Sequence, residues 1–495
     1  MSPRVSAKAP MRLLNIRKYP DVFQALVMNA QVIVKDLKEH YLIETDNLAG
    51  KIKEVIQTGA IGKQSVLDRK ELAKRTEEIL RSLEGRKIGT IDGGLGRGML
   101  GTVTPFLMRS VTYSVIIGDK TENREKFSRS DFMVNRLRAG GFGTDHDYIG
   151  ALLLLYELTG ALNSLRSDNY DIFIIHGPLV RSLGQYSDYH FDEHDLRQVM
   201  GDDNFNNFID YCWEHERIIN APTYKRRPTA RRAQKPYLTE NNFLIATAFT
   251  LNRIYAAARD KGTLVCGVVE RSRSTELSQH MIFERFDELY KQNLKWFQNV
   301  VGKPLTGKTN TAKAKYIKEF LDNLGYTDTL LFGSVLDQGN YSGFQESRTN
   351  RKQSENREMG LDIGLIRPLE HLTELIPYSR YTYIRTSVFN TPFKVEIPDW
   401  FNAADEQKLI ESVFAFSQFL PKYAFPVNLD VVDKVAKVSN WITNALMMII
   451  RREIFESLLK EKRPLTMDEM ILLGGKARDW NLRPKAGGMQ YRRGF

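Results

Sequence analysis

The feature that most constrains this chain is a change of periodicity at Arg86. Upstream, residues 20–45 and 66–85 carry apolar side chains at roughly helical spacing. Downstream, short β-branched and apolar runs take over: RKIGTID (86–92), VTYSVIIG (111–118), DIFII (171–175), TLVCGVV (263–269), and then 328–336, 380–386 and PFKVEI (392–397). Between them lie stretches that suit buried helices, at 147–166, 241–260 and 281–299, with more at 404–419 and 430–461. In the last of these, Val431, Val435, Val438 and Ile442 keep one helical stripe. Strand-like and helix-like periods mixed in this way imply an α/β domain, and the early neighbouring strands imply a mixed rather than purely parallel sheet. The expected organisation is a helical appendage over 1–85 and a core domain over 86–460, closing on C-terminal helices. A polar insertion interrupts the core around 184–240, and a basic tail covers 461–495.

Composition narrows the setting. A chain of 495 residues exceeds what one hydrophobic core usually serves. It has no apolar run of membrane-spanning length and no secretory h-region at its start, so a cytoplasmic location is expected and no membrane partner. Two cysteines, Cys212 and Cys266, exclude a disulfide framework and argue against a cysteine zinc site. The net charge of +11 favours a polyanionic partner, nucleic acid or anionic membrane alike. The basic residues concentrate in TYKRRPTARRAQK (223–235), which holds six of them and no acid. Arg226, Arg227, Arg231 and Arg232 are therefore candidate phosphate contacts, against the alternative of a solvated charge run.

Two glycine-rich matches do not fit their surroundings. Gly96–Gly101 has the G-x-G-x-x-G spacing of a dinucleotide loop, but such a loop must open a helix, and TVTPFLMRSVTYSVII follows instead. GKPLTGKT (302–309) matches the phosphate-loop pattern, which would put Lys308 on phosphates and Thr309 on magnesium. A phosphate loop follows a buried strand, whereas FERFDELYKQNLKWFQNVV precedes this one and reads as a charged helix. A basic surface connector is the better reading.

The chemistry centres on Asp92 in IDGGLGRG, a carboxylate expected at a strand end beside glycines, although Asp-Gly is also a turn dipeptide. Glu157 lies within LLLLYELTGAL, where an unpaired buried carboxylate would be costly, so it needs either an arginine or a metal. Six segments, in order across 86–440, resemble the NurA nuclease family. IDGG is similar to its VDGS strand, whose Asp holds metal, and Glu157 falls at its metal-binding Glu. FIIHGPLV (173–180) resembles the strand ending in DGPL, CGVVERSRS (266–274) the VVKRS strand, and FKVEIP (393–398) the late strand ending in Glu and Pro. FPVNLDVVDKVAKVS (425–439) resembles the terminal YPxPLxxAH or YPxPLxxAD motif, with Asp433 at its His/Asp position and Phe425 at its Tyr position.

The resemblance implies an RNase H-like core and a two-metal DNA nuclease using Mn2+ or Mg2+. Two ions about 3.5–4 Å apart would activate a water and stabilise the leaving oxygen. Asp92, Glu157, His176 and Asp433 would be its ligands and catalytic groups. It further implies 5′–3′ exonuclease and single-strand endonuclease action, and a homodimer docked on a HerA-type hexameric ATPase in DNA end processing or phage defence. Two departures matter. His176 replaces the family's second Asp, and Glu270 replaces the Lys of VVKRS. Either Glu270 restores the lost charge beside a His-containing, manganese-preferring site, or the chain is an inactive DNA-binding scaffold subunit of such a complex.

Overall fold

Among the described residues, most of the apolar runs after Arg86 enter a ten-stranded sheet, joined by short polar strands that include Lys63–Ser65 upstream. The computed structural model describes residues 20–37, 63–65, 72–98, 104–136, 142–179, 240–346, 378–419 and 424–460, with the single positions 50 and 466. The arginines at 226, 227, 231 and 232, the expected 184–240 insertion and nearly all of the 461–495 tail lie outside these residues.

The elements are α1 (Pro20–Asp36), β1 (Lys63–Ser65), α2 (Leu72–Ser82), β2 (Lys87–Arg97), β3 (Thr104–Ile116), β4 (Glu125–Arg136), α3 (Phe142–Ser167), β5 (Ile172–His176), α4 (Glu240–Lys261) and β6 (Leu264–Val269). They continue with α5 (Glu276–Glu284), α6 (Phe286–Gln292), α7 (Leu294–Val301), α8 (Asn310–Leu324), α9 (Asp328–Val335), β7 (Asn340–Ser342), β8 (Gln345–Glu346), β9 (Ser379–Arg385) and β10 (Phe393–Pro398). The helices α10 (Ala403–Ser417), α11 (Val427–Ala436) and α12 (Asn440–Lys460) end the series.

The chain divides into two compact units, Met1–Gly62 with Arg273–Val335, and Lys63–Ser272 with Leu336–Phe495. The core expected over 86–460 therefore gives up Arg273–Val335 to the other unit. That segment can separate because it buries its own aromatic cluster, in which Phe286, Phe297, Tyr316 and Phe320 stack edge and face. Of residues 328–336, expected as a strand, Asp328–Val335 form helix α9 instead. Its apolar residues bury one helical face, Leu331, Phe332 and Val335, and the run is too short for periodicity to separate the two states. The fully buried Asp328 carboxylate accepts hydrogen bonds from Leu277 N, Ser278 N and Ser278 Oγ, satisfying the open first turn of α5.

The larger unit holds the sheet, in the order β1-β7-β9-β10-β6-β5-β2-β3-β4 with β8 on β9. β2, β3 and β4 form an antiparallel meander. β5 lies parallel to β2 and β6 parallel to β5, and β9 and β10 extend the far side antiparallel. A meander followed by two parallel strands that return through helices is compatible with an RNase H-like core. α3 packs on one face of β2 and β3, and α11 also packs against both strands. Ile88, Ile172, Ile174, Val268 and Val395 share their core with Leu409, Val413, Leu429 and Val432 of α10 and α11. Among the described residues, no helix is long and apolar enough to cross a membrane.

Two expectations change inside this unit. β2 does not stop at Asp92 but continues through the glycines to Arg97, because β3 pairs with it along its whole length. The helix expected over 430–461 breaks at 437–439 into α11 and α12. There Val438 turns inward, where a Cβ added at Gly96 would overlap it.

Candidate metal centre

Asp92 sits mid-strand in β2, and the parallel register brings His176 beside it. Ile91 is opposite Ile175, so the next residues, Asp92 and His176, are neighbours pointing to one face. His176 Nδ1 lies 3.0 Å from Asp92 Oδ2, while Asp92 Oδ1 accepts the Gly93 N–H at 2.8 Å. The carboxylate is thereby held in one orientation.

The third group arrives from α11, which is fixed to β2 and β3 at both ends. Asn428 Nδ2 donates to Thr90 Oγ1 at 2.7 Å near its start. At its end, buried Arg109 donates to Asp131 Oδ1 at 2.7 Å and more weakly to the Val435 carbonyl at 3.4 Å, a cation placed where helix carbonyls are exposed. The backbone of α11 also presses directly on Gly94, where any Cβ would collide with the Ala436 carbonyl oxygen. These contacts set Asp433 over Asp92. One ligand atom each from Asp92, His176 and Asp433 lies within 4.8 Å of the others.

Glu157 approaches from α3 on the opposite face of β2. A Cβ on Gly93 would stand 3.1 Å from Glu157 Oε2, so the glycine after Asp92 lets this buried carboxylate reach the strand. The electrostatics converge on one spot. Burial depresses the His176 pKa, but the Asp92 hydrogen bond and the charges of Asp92, Glu157 and Asp433 outweigh it, and the net shift is upward. Three carboxylates thus favour a cation here.

With that geometry in place, the NurA domain profile matches residues 86–438, most of the chain and every element just described. The chain belongs to the NurA family. No curated protein sequence matches it. Among solved structures, "Crystal structure of the NurA nuclease from Sulfolobus solfataricus" aligns at 12% identity and TM-score 0.47, covering 89% of this chain and 98% of that one. "Crystal structure of NurA with manganese" aligns at 12% identity and TM-score 0.35 over 77% and 96% of the two chains. "Crystal structure of NurA bound to dAMP and manganese" aligns at 11% identity and TM-score 0.29 over 79% and 93%.

Within this NurA domain, the structure gathers Asp92, His176 and Asp433 into one donor group and sets Glu157 against its edge. Glu270 is placed differently. It follows the end of β6 and forms an ion pair with Arg271 at 3.6 Å, while the gathered group consists of Asp92, His176 and Asp433. Arg109 escaped the sequence reading, though a charged residue inside the apolar run TPFLMRSVTYSVI was a visible signal. Glu396 escaped it as a functional residue too. Buried in β10, it accepts the Leu179 N–H at 2.7 Å and pairs with Lys394 at 2.7 Å, tethering the loop that follows His176. Nothing local in FKVEIP indicated that partner, which is 217 residues away.

Proposed function

We propose that this chain is a divalent-metal-dependent DNA nuclease, with Asp92, Glu157, His176 and Asp433 as its active centre. The observation that carries the reading is the convergence of three donors from β2, β5 and α11 within 4.8 Å, inside a NurA domain. The donor set fits such an ion. Carboxylate oxygens suit magnesium and manganese, and one imidazole tilts the preference to manganese. Asp92 and Asp433 would hold it with His176, and Glu157 would add charge from the other face. When bound, the ion supplies Lewis-acid stabilisation of phosphoryl oxygens and a water acidic enough to act as nucleophile.

The residues themselves do the positioning. The Gly93 N–H fixes the Asp92 carboxylate, Arg109 and Asn428 fix the helix bearing Asp433, and Glu396 fixes the backbone beyond His176. Each constraint holds a ligand near its productive geometry before substrate arrives, which lowers the cost of reaching it later. The test is cleavage of labelled single- and double-stranded DNA in manganese, magnesium and chelator. Metal-dependent cutting that disappears in Asp92→Ala supports the reading; cleavage undiminished in Asp92→Ala overturns it.

A second reading, an inactive DNA-binding subunit, draws on one observation. Both Asp92 oxygens already accept hydrogen bonds, one from the His176 ring, so an imidazolium can satisfy the charge that an ion would. Calorimetric titration with manganese separates the two readings, because only the nuclease takes up the ion at this cluster. Other parts of the proposal rest on the family resemblance: 5′–3′ polarity, a homodimer, and a HerA-type hexameric ATPase partner in DNA end processing or phage defence. Co-purification with such an ATPase checks the partnership. For Arg226, Arg227, Arg231 and Arg232 we propose phosphate contact. Replacing them with alanine should flatten the salt dependence of duplex binding by nearly one log–log unit per lost contact.

A further inference from the structure

The turn between β9 and β10 carries the most exposed large apolar side chain among the described residues, Phe389 at 81%, with Val388 half-exposed beside it. Large aromatics usually bury most of their surface, so a phenylalanine held out on a short turn is unusual. The turn is anchored at its base. Thr386 Oγ1 donates to the Ala424 carbonyl at 2.5 Å, and the amides of Gln338 and Gln418 both donate to the Thr386 carbonyl. Arg385 Nε donates to the Ser387 carbonyl, and the Phe389 N–H closes on Ser387 Oγ at 3.2 Å.

Its position ties it to the metal centre. Lys394, just past the turn, pairs with Val269 at the end of β6, and His176 pairs with Val268. The base of the turn therefore lies at the edge of the sheet where β5 ends in His176, two strand spacings from it, about 10 Å. The Phe393 ring at the base of the turn packs edge-on against Phe425, and Phe425 lies 5.9 Å from the His176 ring. Ala424, which receives the Thr386 hydroxyl, has the left-handed backbone angle φ 54 and leads directly through Phe425 into α11 and Asp433. One anchored segment thus joins the exposed ring to two of the three donors.

We infer that Phe389 is a stacking platform for an unpaired nucleobase of the DNA strand entering the metal centre. This rests on the nuclease reading and adds to it a preference for single-stranded or frayed substrate. A π-face stacks on any base and cannot reach one inside a duplex, so the ring selects strand state rather than sequence. Stacking is also insensitive to salt, unlike phosphate contact.

The experiment measures binding of a fluorescent single-stranded oligonucleotide, in chelator so that no cutting occurs, by wild type, Phe389→Ala and Phe389→Trp at low and high salt. Phe389→Ala is expected to weaken binding roughly five- to a hundredfold, the range of one lost base stack, with the same ratio at both salts. Phe389→Trp should restore affinity and show tryptophan quenching on binding beyond that of wild type. Duplex affinity should change little. Equal affinity of wild type and Phe389→Ala overturns the inference while leaving the nuclease reading intact, and points to a protein contact for the ring. Failure of the wild type to bind or cut any DNA overturns both.

Discussion

Two glycine-rich stretches of this chain look alike on paper and do different work. In 92–98, glycines line a central strand and let helices touch it: Gly93 faces Glu157, Gly94 the end of α11, and Gly96 Val438. In 302–309, Gly302 ends helix α7 with a left-handed angle of φ 74, and Thr309 caps helix α8 by accepting the Ala312 N–H at 3.2 Å. Lys303, in the same connector, pairs with Glu319 at 2.6 Å. The second stretch is a link between two helices, with no strand leading into it as a phosphate loop requires. A glycine motif means what its neighbours make it mean. Where a helix is pressed onto backbone beside a carboxylate, acidic groups are brought together; where two helices need a connector, capping results.

Mutations can break this contrast, starting with the largest expected effect. Asp92→Ala should reduce metal-dependent cleavage about a thousandfold or more, since losing several kcal/mol of charge stabilisation costs tenfold in rate per about 1.4 kcal/mol. Thermal melting should remain close to wild type, and a comparable loss of folding would mean that Asp92 is structural.

Gly94→Ala comes next. Its methyl group would meet backbone rather than a movable side chain, so about 3 kcal/mol of stability should be lost, the upper part of the overpacking range. Gly96→Ala meets only the side chains of Thr443 and Val438 and should cost about half as much. Urea titration of both variants gives the order; the reverse order would contradict the packing of α11 on β2.

In the other stretch the effects should be smaller and purely structural. Thr309→Ala should cost about 1 kcal/mol through the lost cap, and Gly302→Ala about 1 kcal/mol through the left-handed position. Neither should change any nucleotide-dependent behaviour. Smallest of all, Lys308→Ala should shift stability by no more than about 0.5 kcal/mol, as for an ordinary surface position. Stoichiometric ATP binding by the wild-type chain, lost in Lys308→Ala, would erase the contrast between the two stretches.

Much of the sheet was legible because its strands are short apolar runs bounded by polar or turn residues. DIFII, TLVCGVV and FKVEI all became strands within a residue or two of expectation. Neither glycine motif has the surroundings it would need: strand β3 rather than a helix follows the first, and helices α6 and α7 rather than a strand precede Gly302. Residues 328–335 misled because LLFGSV has the composition of a strand, while its partners in the helical unit reward a helical face. The 437–439 break was hidden because Val431, Val435 and Val438 keep helical spacing up to the point where Val438 is buried against Gly96.

By itself the sequence determined much of the alternation of strands and helices and the order of segments that marks the NurA domain, and it singled out the carboxylates at Asp92 and Glu157 as candidates. These are local or ordered along the chain, and periodicity, composition and segment order record them directly. Only the tertiary structure decided that His176 lies against Asp92, that Asp433 comes within ligand distance of both, and that Arg109 and Glu396 tie down the segments around them. Those contacts join residues 84 to 341 positions apart, and no local rule sets them. They follow from strand register and from how closely helices can approach glycine backbone. A shift of one residue in the register of β5 would turn His176 to the opposite face of the sheet from Asp92, with the sequence unchanged.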